Sequence, residues 1–116
     1  MDRIKVLVVD DSVFMRGVIK GILKNSEEIE VAALAGNGAD ALEILKQEKI
    51  DVVTMDVEMP GMNGLEALRV IIETAPIPVI MISSHTRRGA VVTIQSLDIG
   101  AVDFITKPSA GLNNDF

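Results

Sequence analysis

The feature that most constrains this chain is a regular alternation. Short β-branched apolar runs alternate with stretches of helical apolar period, beginning at the fourth residue. Ile4–Val9 (IKVLVV) predicts a strand, and Val13–Lys24 predicts a helix capped by Ser12, with Phe14, Val18, Ile19, Ile22 and Leu23 at helical spacing. Val31–Ala35 predicts a second strand, closed by Gly36-Asn37-Gly38. A helix marked by Ala41, Leu42 and Leu45 comes next and runs to about Glu48. Val52–Met55 is the third strand. The turn dipeptides Pro60-Gly61 and Asn63-Gly64 then lead to a helix over Leu65–Thr74, stopped by Pro76. Pro78–Ser83 is the fourth strand, Gly89–Ile99 a helix ended by Gly100, and Val102–Thr106 the fifth strand. Strands that read as continuous apolar runs and alternate with helices predict an α/β, doubly wound parallel sheet covered on both faces. Ser109–Phe116 carry no helical period. Residues 1–108 are therefore expected to form the domain and 109–116 to begin a linker or a truncated last element, without a final helix over one flank of the sheet.

A chain of 116 residues holds one small domain. Its net charge of −6 argues against a nucleic-acid or anionic-membrane surface. With no cysteine there is no disulfide framework and no thiolate metal site, which suits a reducing cytoplasm. Neither a signal segment nor a membrane span is written in the chain, so a cytoplasmic domain without membrane insertion is expected. The six methionines read as core and loop packing, with Met59 and Met62 as candidates for a contact surface. His85, the single histidine, reads as a loop residue.

In an open α/β sheet, ligands bind outside the carboxyl ends of the strands. Asp10 and Asp11 follow the first strand and Asp56 the third; Ser83 and Ser84 close the fourth, and Lys107 follows the fifth. Three carboxylates, a hydroxyl and an ammonium thus converge on one edge. Carboxylates crowded together call for a cation, and an all-oxygen set suits Mg²⁺, Mn²⁺ or Ca²⁺ rather than zinc. Mg²⁺ takes one or two carboxylates, which leaves another as a nucleophile for aspartyl-phosphate chemistry. Lys107 and the metal then supply the charge neutralisation that phosphoryl transfer needs, and Ser83 a hydrogen bond to a phosphoryl oxygen. Pro108 offers one means of aiming Lys107 inward, a cis Lys107–Pro108 peptide. A rival motif, Gly36-Asn37-Gly38-Ala39-Asp40-Ala41, fits a dinucleotide fingerprint, but it comes after the second strand and leaves Asp10, Asp11 and Lys107 without a role.

The segments VLVVDDSVFMR, VTMDVEMPGMNGLEAL, PVIMISS and GAVDFITKP resemble, in order and across nearly the whole chain, the receiver domains of two-component response regulators. The resemblance implies a flavodoxin-like sheet of strand order 2-1-3-4-5, with Asp56 as phosphoacceptor. It also implies Mg²⁺ (or Mn²⁺) held by Asp10, Asp11, Asp56 and the backbone carbonyl of Glu58, and it makes Lys107 the phosphate-binding lysine. Ser83 takes the switch hydroxyl position and Phe104 the aromatic switch position, although Phe104 reads equally well as a core residue of the last strand. Within the family, MDVEMPGMNGLEAL, ISSHT and GAVDFITKPS are most similar to the regulatory domains of chemotaxis protein-glutamate methylesterases, with His85 departing from the Leu expected there. The implied partners are a chemotaxis histidine kinase and, in a longer protein, a C-terminal methylesterase domain acting on chemoreceptors. This chain would then be no enzyme itself. Two other readings are a stand-alone chemotaxis receiver that binds a motor or scaffold protein, and an aspartate-nucleophile phosphatase suggested by Asp56-Val57-Glu58. The phosphatase would want a D-x-D pattern at the first strand, where this chain has Asp10-Asp11-Ser12.

Overall fold

The computed structural model describes residues 2–59, 64–75, 77–84 and 86–108. Pro60-Gly61, Met62, Asn63, Pro76, His85 and the 109–116 segment lie outside the described residues. The elements run β1 (Ile4–Val9), α1 (Val13–Leu23), β2 (Ile29–Ala35), α2 (Gly38–Gln47), β3 (Val52–Asp56), α3 (Gly64–Thr74), β4 (Val79–Ser83), α4 (Arg87–Ile99) and β5 (Asp103–Thr106). All strand pairs are parallel and the order is β2-β1-β3-β4-β5, the doubly wound topology that the sequence pattern and the resemblance imply.

Local chemistry sets the element ends. The Ser12 hydroxyl accepts from the Met15 N–H at 3.1 Å, and the Asn37 side chain accepts from the Asp40 N–H at 2.8 Å. Both satisfy donors left free at a helix start. The Asn37 cap accounts for α2 beginning at Gly38, earlier than its apolar residues show. It also gives the glycine-flanked loop a structural job in place of a dinucleotide site, since β2 is an edge strand away from the point where the topology switches. Gly100 ends α4 at φ 140°, a left-handed conformation open to glycine, and a Cβ there would press on Ile72 Cδ1 at 3.1 Å.

The main core lies between the sheet and α2, α3 and α4, where Leu7, Val53, Met55, Leu68, Ile71 and Met81 are buried. Met59 joins this cluster, so it packs the core and is not part of a contact surface. α1 covers the other face through Ile19, packed with Val6 and Val8. Phe14 is 65% exposed and does not join that face. It stands five residues from Ile19, which is about 140° round the helix. α4 departs further from a simple amphipathic pattern. Its fully buried residues are Gly89, Thr93 and Ser96, with Val92 and Ile99 partly buried against the core, while Val91, Ile94 and Leu97 point outward. The buried hydroxyls bond their own helix, Thr93 Oγ1 to the Gly89 carbonyl and Ser96 Oγ to the Thr93 carbonyl, each at 2.7 Å, so no unpaired polar atom opposes that inversion. Among the described residues no helix is long and apolar enough to cross a membrane.

Candidate functional site

β1 and β3 are neighbours in the sheet, and the chain leaves them in opposite directions, β1 toward β2 and β3 toward β4. Their carboxyl ends therefore flank the switch-point crevice. The pairing Val9↔Met55 carries one step further to put Asp10 beside Asp56. Ligand oxygens of Asp10, Asp11 and Asp56 all lie within 4.8 Å of one another; Asp10 and Asp56 are buried and Asp11 is exposed. At the start of α3, a Cβ on Gly64 would overlap the Asp56 carbonyl oxygen, so a glycine is needed for the helix to sit this close to the strand end.

Asp10 is committed on three sides. Its N–H donates to the Ala35 carbonyl at 3.0 Å, its carbonyl accepts from Arg16 Nη1 at 2.7 Å, and its Oδ1 accepts from the Ser12 N–H at 2.9 Å. Its fourth polar atom, Oδ2, is buried without a hydrogen-bond partner, one of two such side-chain oxygens among the described residues. A buried carboxylate oxygen left bare is costly unless a cation meets it. Burial raises the Asp10 pKa, with the Asp11 charge adding to the rise. The donor set, carboxylates alone, fits a hard divalent ion.

Asp56 Oδ1 accepts from the Glu58 N–H at 3.2 Å, and Lys107 Nζ lies 3.3 Å from each of its two carboxylate oxygens. Burial and then the charge of Asp10 push its pKa up to about 6, against the opposing pull of the Glu58 N–H and the Lys107 cation. The carboxylate is therefore mostly ionised at neutral pH and poorly solvated, a state suited to a nucleophile. Lys107 reaches the site from β5 because its backbone N–H bonds the Ser83 carbonyl at 2.8 Å. No peptide bond among the described residues is cis, so the Pro108 device is not what aims it.

Ser83 ends β4 beside the site, but its hydroxyl donates along the chain to the Ser84 carbonyl at 3.2 Å. Phe104 is 45% exposed on β5, so it is not a core residue of that strand. Sequence reasoning missed Arg16, whose guanidinium passes over Gly36 to hold the Asp10 carbonyl. Its position one turn after Ser12 on α1 was the available signal. Also missed was the Glu58 side chain, which accepts from the hydroxyls of Ser84 and Thr86. No spacing rule reaches across 26 residues to such a contact.

Residues 6–113 match the response regulator receiver domain, and the chain belongs to that family. It is similar to the protein-glutamate methylesterase/protein-glutamine glutaminase of Pyrococcus horikoshii, with 55% identity over 96% of this chain and 30% of the relative. The protein of the same name from Bacillus subtilis is 54% identical over 97% of this chain and 31% of its own length. The chain thus spans under a third of these relatives. Among solved structures, the response regulator domain of Thermotoga maritima CheB superposes with a TM-score of 0.83 at 53% identity, covering 91% of this chain and 79% of that one. A signal receiver domain of NarL from Mycobacterium tuberculosis reaches a TM-score of 0.84 at 32% identity, over 94% of this chain and 87% of that one.

Proposed function

We propose that the chain is a phosphorylation switch of chemotaxis type in which Asp56 accepts a phosphoryl group from a histidine kinase. An Asp56 carboxylate oxygen attacks phosphorus in line with the phosphorus–nitrogen bond of a phosphohistidine; the new P–O bond forms as the P–N bond breaks, and the imidazole leaves. Asp10, Asp11, Asp56 and the Glu58 carbonyl would hold Mg²⁺ (or Mn²⁺), which supplies neutralisation of the phosphoryl charge. Lys107 offsets the same charge from the β5 side, and the Ser83 hydroxyl bonds a phosphoryl oxygen once it turns inward. The observation that carries this reading is the pairing of a buried, cation-contacted Asp56 with the bare buried Oδ2 of Asp10.

Residues 1–108 form the receiver. The similarity to methylesterases points to a regulated C-terminal hydrolase that acts on chemoreceptors. The chain itself serves as a cytoplasmic switch rather than an enzyme with turnover. Exposed Val91, Ile94 and Leu97 on α4, with Val102 just before β5 and Phe104 on it, supply apolar surface for docking that domain. The experiment is to mix the protein with a small acyl phosphate and Mg²⁺ and weigh it intact. One acid-stable, base-labile phosphoryl adduct is expected, dependent on metal and absent in Asp56→Asn. An adduct that survives the substitution would overturn the assignment.

A further inference from the structure

One side chain joins the connection after β3 to the connection after β4. Glu58 Oε1 accepts from Ser84 Oγ and from Thr86 Oγ1, each at 3.1 Å, and those two hydroxyl oxygens are 2.9 Å apart. Thr86 Oγ1 also caps α4 by accepting from the Gly89 N–H at 2.9 Å. The three oxygens form a triangle that contains only two hydroxyl hydrogens, so at most two of its edges are hydrogen bonds. A carboxylate has no hydrogen to give and accepts both, which holds Ser84 and Thr86 against the same oxygen. Gly89 completes the arrangement, because a Cβ there would overlap Ser84 Oγ.

The strands beneath are already tied, with the Val57 N–H on the Ile82 carbonyl at 3.2 Å. Glu58 carries that tie past the strand ends into the segment after Ser83. Its main chain faces the other way, the N–H on Asp56 Oδ1. One residue thus touches the acceptor through its backbone and Ser84 and Thr86 through its side chain. The Ser83 hydroxyl, meanwhile, is spent on the Ser84 carbonyl. To reach a phosphoryl oxygen on Asp56 it must leave that carbonyl, which belongs to a residue that Glu58 holds.

We infer that the Glu58 side chain is a latch on Ser84 and Thr86, a positioning residue that sets how readily the Ser83 hydroxyl turns toward a phosphoryl group on Asp56. This inference rests on the reading of Asp56 as phosphoacceptor. The latch acts by accepting hydrogen bonds, not by its charge, and two substitutions separate these. In Glu58→Gln the amide oxygen still accepts from both hydroxyls; in Glu58→Ala nothing does. Ser84→Ala removes one corner of the triangle, leaving only the Thr86–Glu58 edge, with the α4 cap and the Glu58 backbone in place.

The test is to record amide NMR spectra of the wild type and the three variants, then repeat them after acyl phosphate and Mg²⁺. In Glu58→Ala and Ser84→Ala, the amides of Thr86 and Gly89 are expected to move, before any phosphorylation, along the direction that phosphorylation moves them in the wild type. The ratio of the two loop positions should change ~2- to 10-fold, as one net hydrogen bond allows. Glu58→Gln should keep the wild-type positions. A Glu58→Gln spectrum shifted as far as that of Glu58→Ala would mean that charge is responsible and would overturn the latch, as would unmoved amides in both Glu58→Ala and Ser84→Ala. Failure of the acceptor reading shows elsewhere, as no adduct on the wild type. The variants' shifts before phosphorylation would still decide whether Glu58 holds the segment.

Discussion

The carboxylate half of the site and its lysine–hydroxyl half rest on different parts of the sheet. Asp10 and Asp56 extend β1 and β3, which have hydrogen-bonded neighbours on both sides, and neither side chain reaches solvent. Lys107 extends β5, an edge strand whose four residues are exposed or half-buried, and its side chain is 25% exposed. Ser83 stands between, on a buried strand but next to a segment held by side-chain hydroxyls. Packed, doubly paired strands hold a backbone closely, whereas an edge strand and a hydroxyl-tied loop open at lower cost. The stiff half suits metal and nucleophile, and the looser half suits a response.

The sharpest way to probe the stiff half is through its own charge. Asp56 titrates near 6 in the folded chain, against 3.8 for an ordinary aspartate. The folded state therefore binds more protons between those values, and stability falls as pH rises from about 4 to about 6, then stays low. The full penalty is about 3 kcal/mol above pH 6. In chelator, Asp56→Asn should gain up to that amount at pH 7.5 and flatten this part of the pH profile, read by urea unfolding with far-UV circular dichroism. A variant with the wild-type slope would show that the buried half carries no such strain.

Metal binding then separates the halves. Asp10→Asn should weaken Mg²⁺ binding by ~100-fold, because it spoils a ligand whose other polar atoms are already engaged. Lys107→Ala should leave calorimetric Mg²⁺ affinity within ~3-fold while abolishing most of the change in β4–α4 amide positions on phosphorylation, since a surface-linked cation is a weak contributor to metal binding. Equal losses of affinity in the two variants would erase the division between the halves. A smaller effect sharpens it: Arg16→Gln should cost ~10-fold in Mg²⁺ affinity, the scale of a lost outer-shell partner, with little change in the unfolding midpoint.

Much of this was legible along the chain. Each strand and helix appears where apolar period and capping residues place it, and the ends differ by a few residues at most. The differences have causes: α2 starts early because Asn37 caps it, and β2 starts at Ile29 because the Ile4 N–H pairs with the Glu28 carbonyl just before it. The exposure of Phe14 was not legible, because helical spacing alone does not say which of two adjacent stripes meets the sheet. The buried face of α4 was hidden because Thr93 and Ser96 look polar in a sequence, and only their bonds to their own helix make them fit for burial.

By itself, then, the sequence determined the alternating elements and the polar residue that ends each strand. Both arise from local preference and period, which need no knowledge of distant residues. The tertiary structure decided that Asp10 Oδ2 stays bare, that Asp56 titrates near 6, that Arg16 steadies one carboxylate, and that Glu58 reaches across to Ser84 and Thr86. Each of these depends on burial or on a contact between separate segments. Desolvation and proximity in space have no counterpart in one-dimensional order.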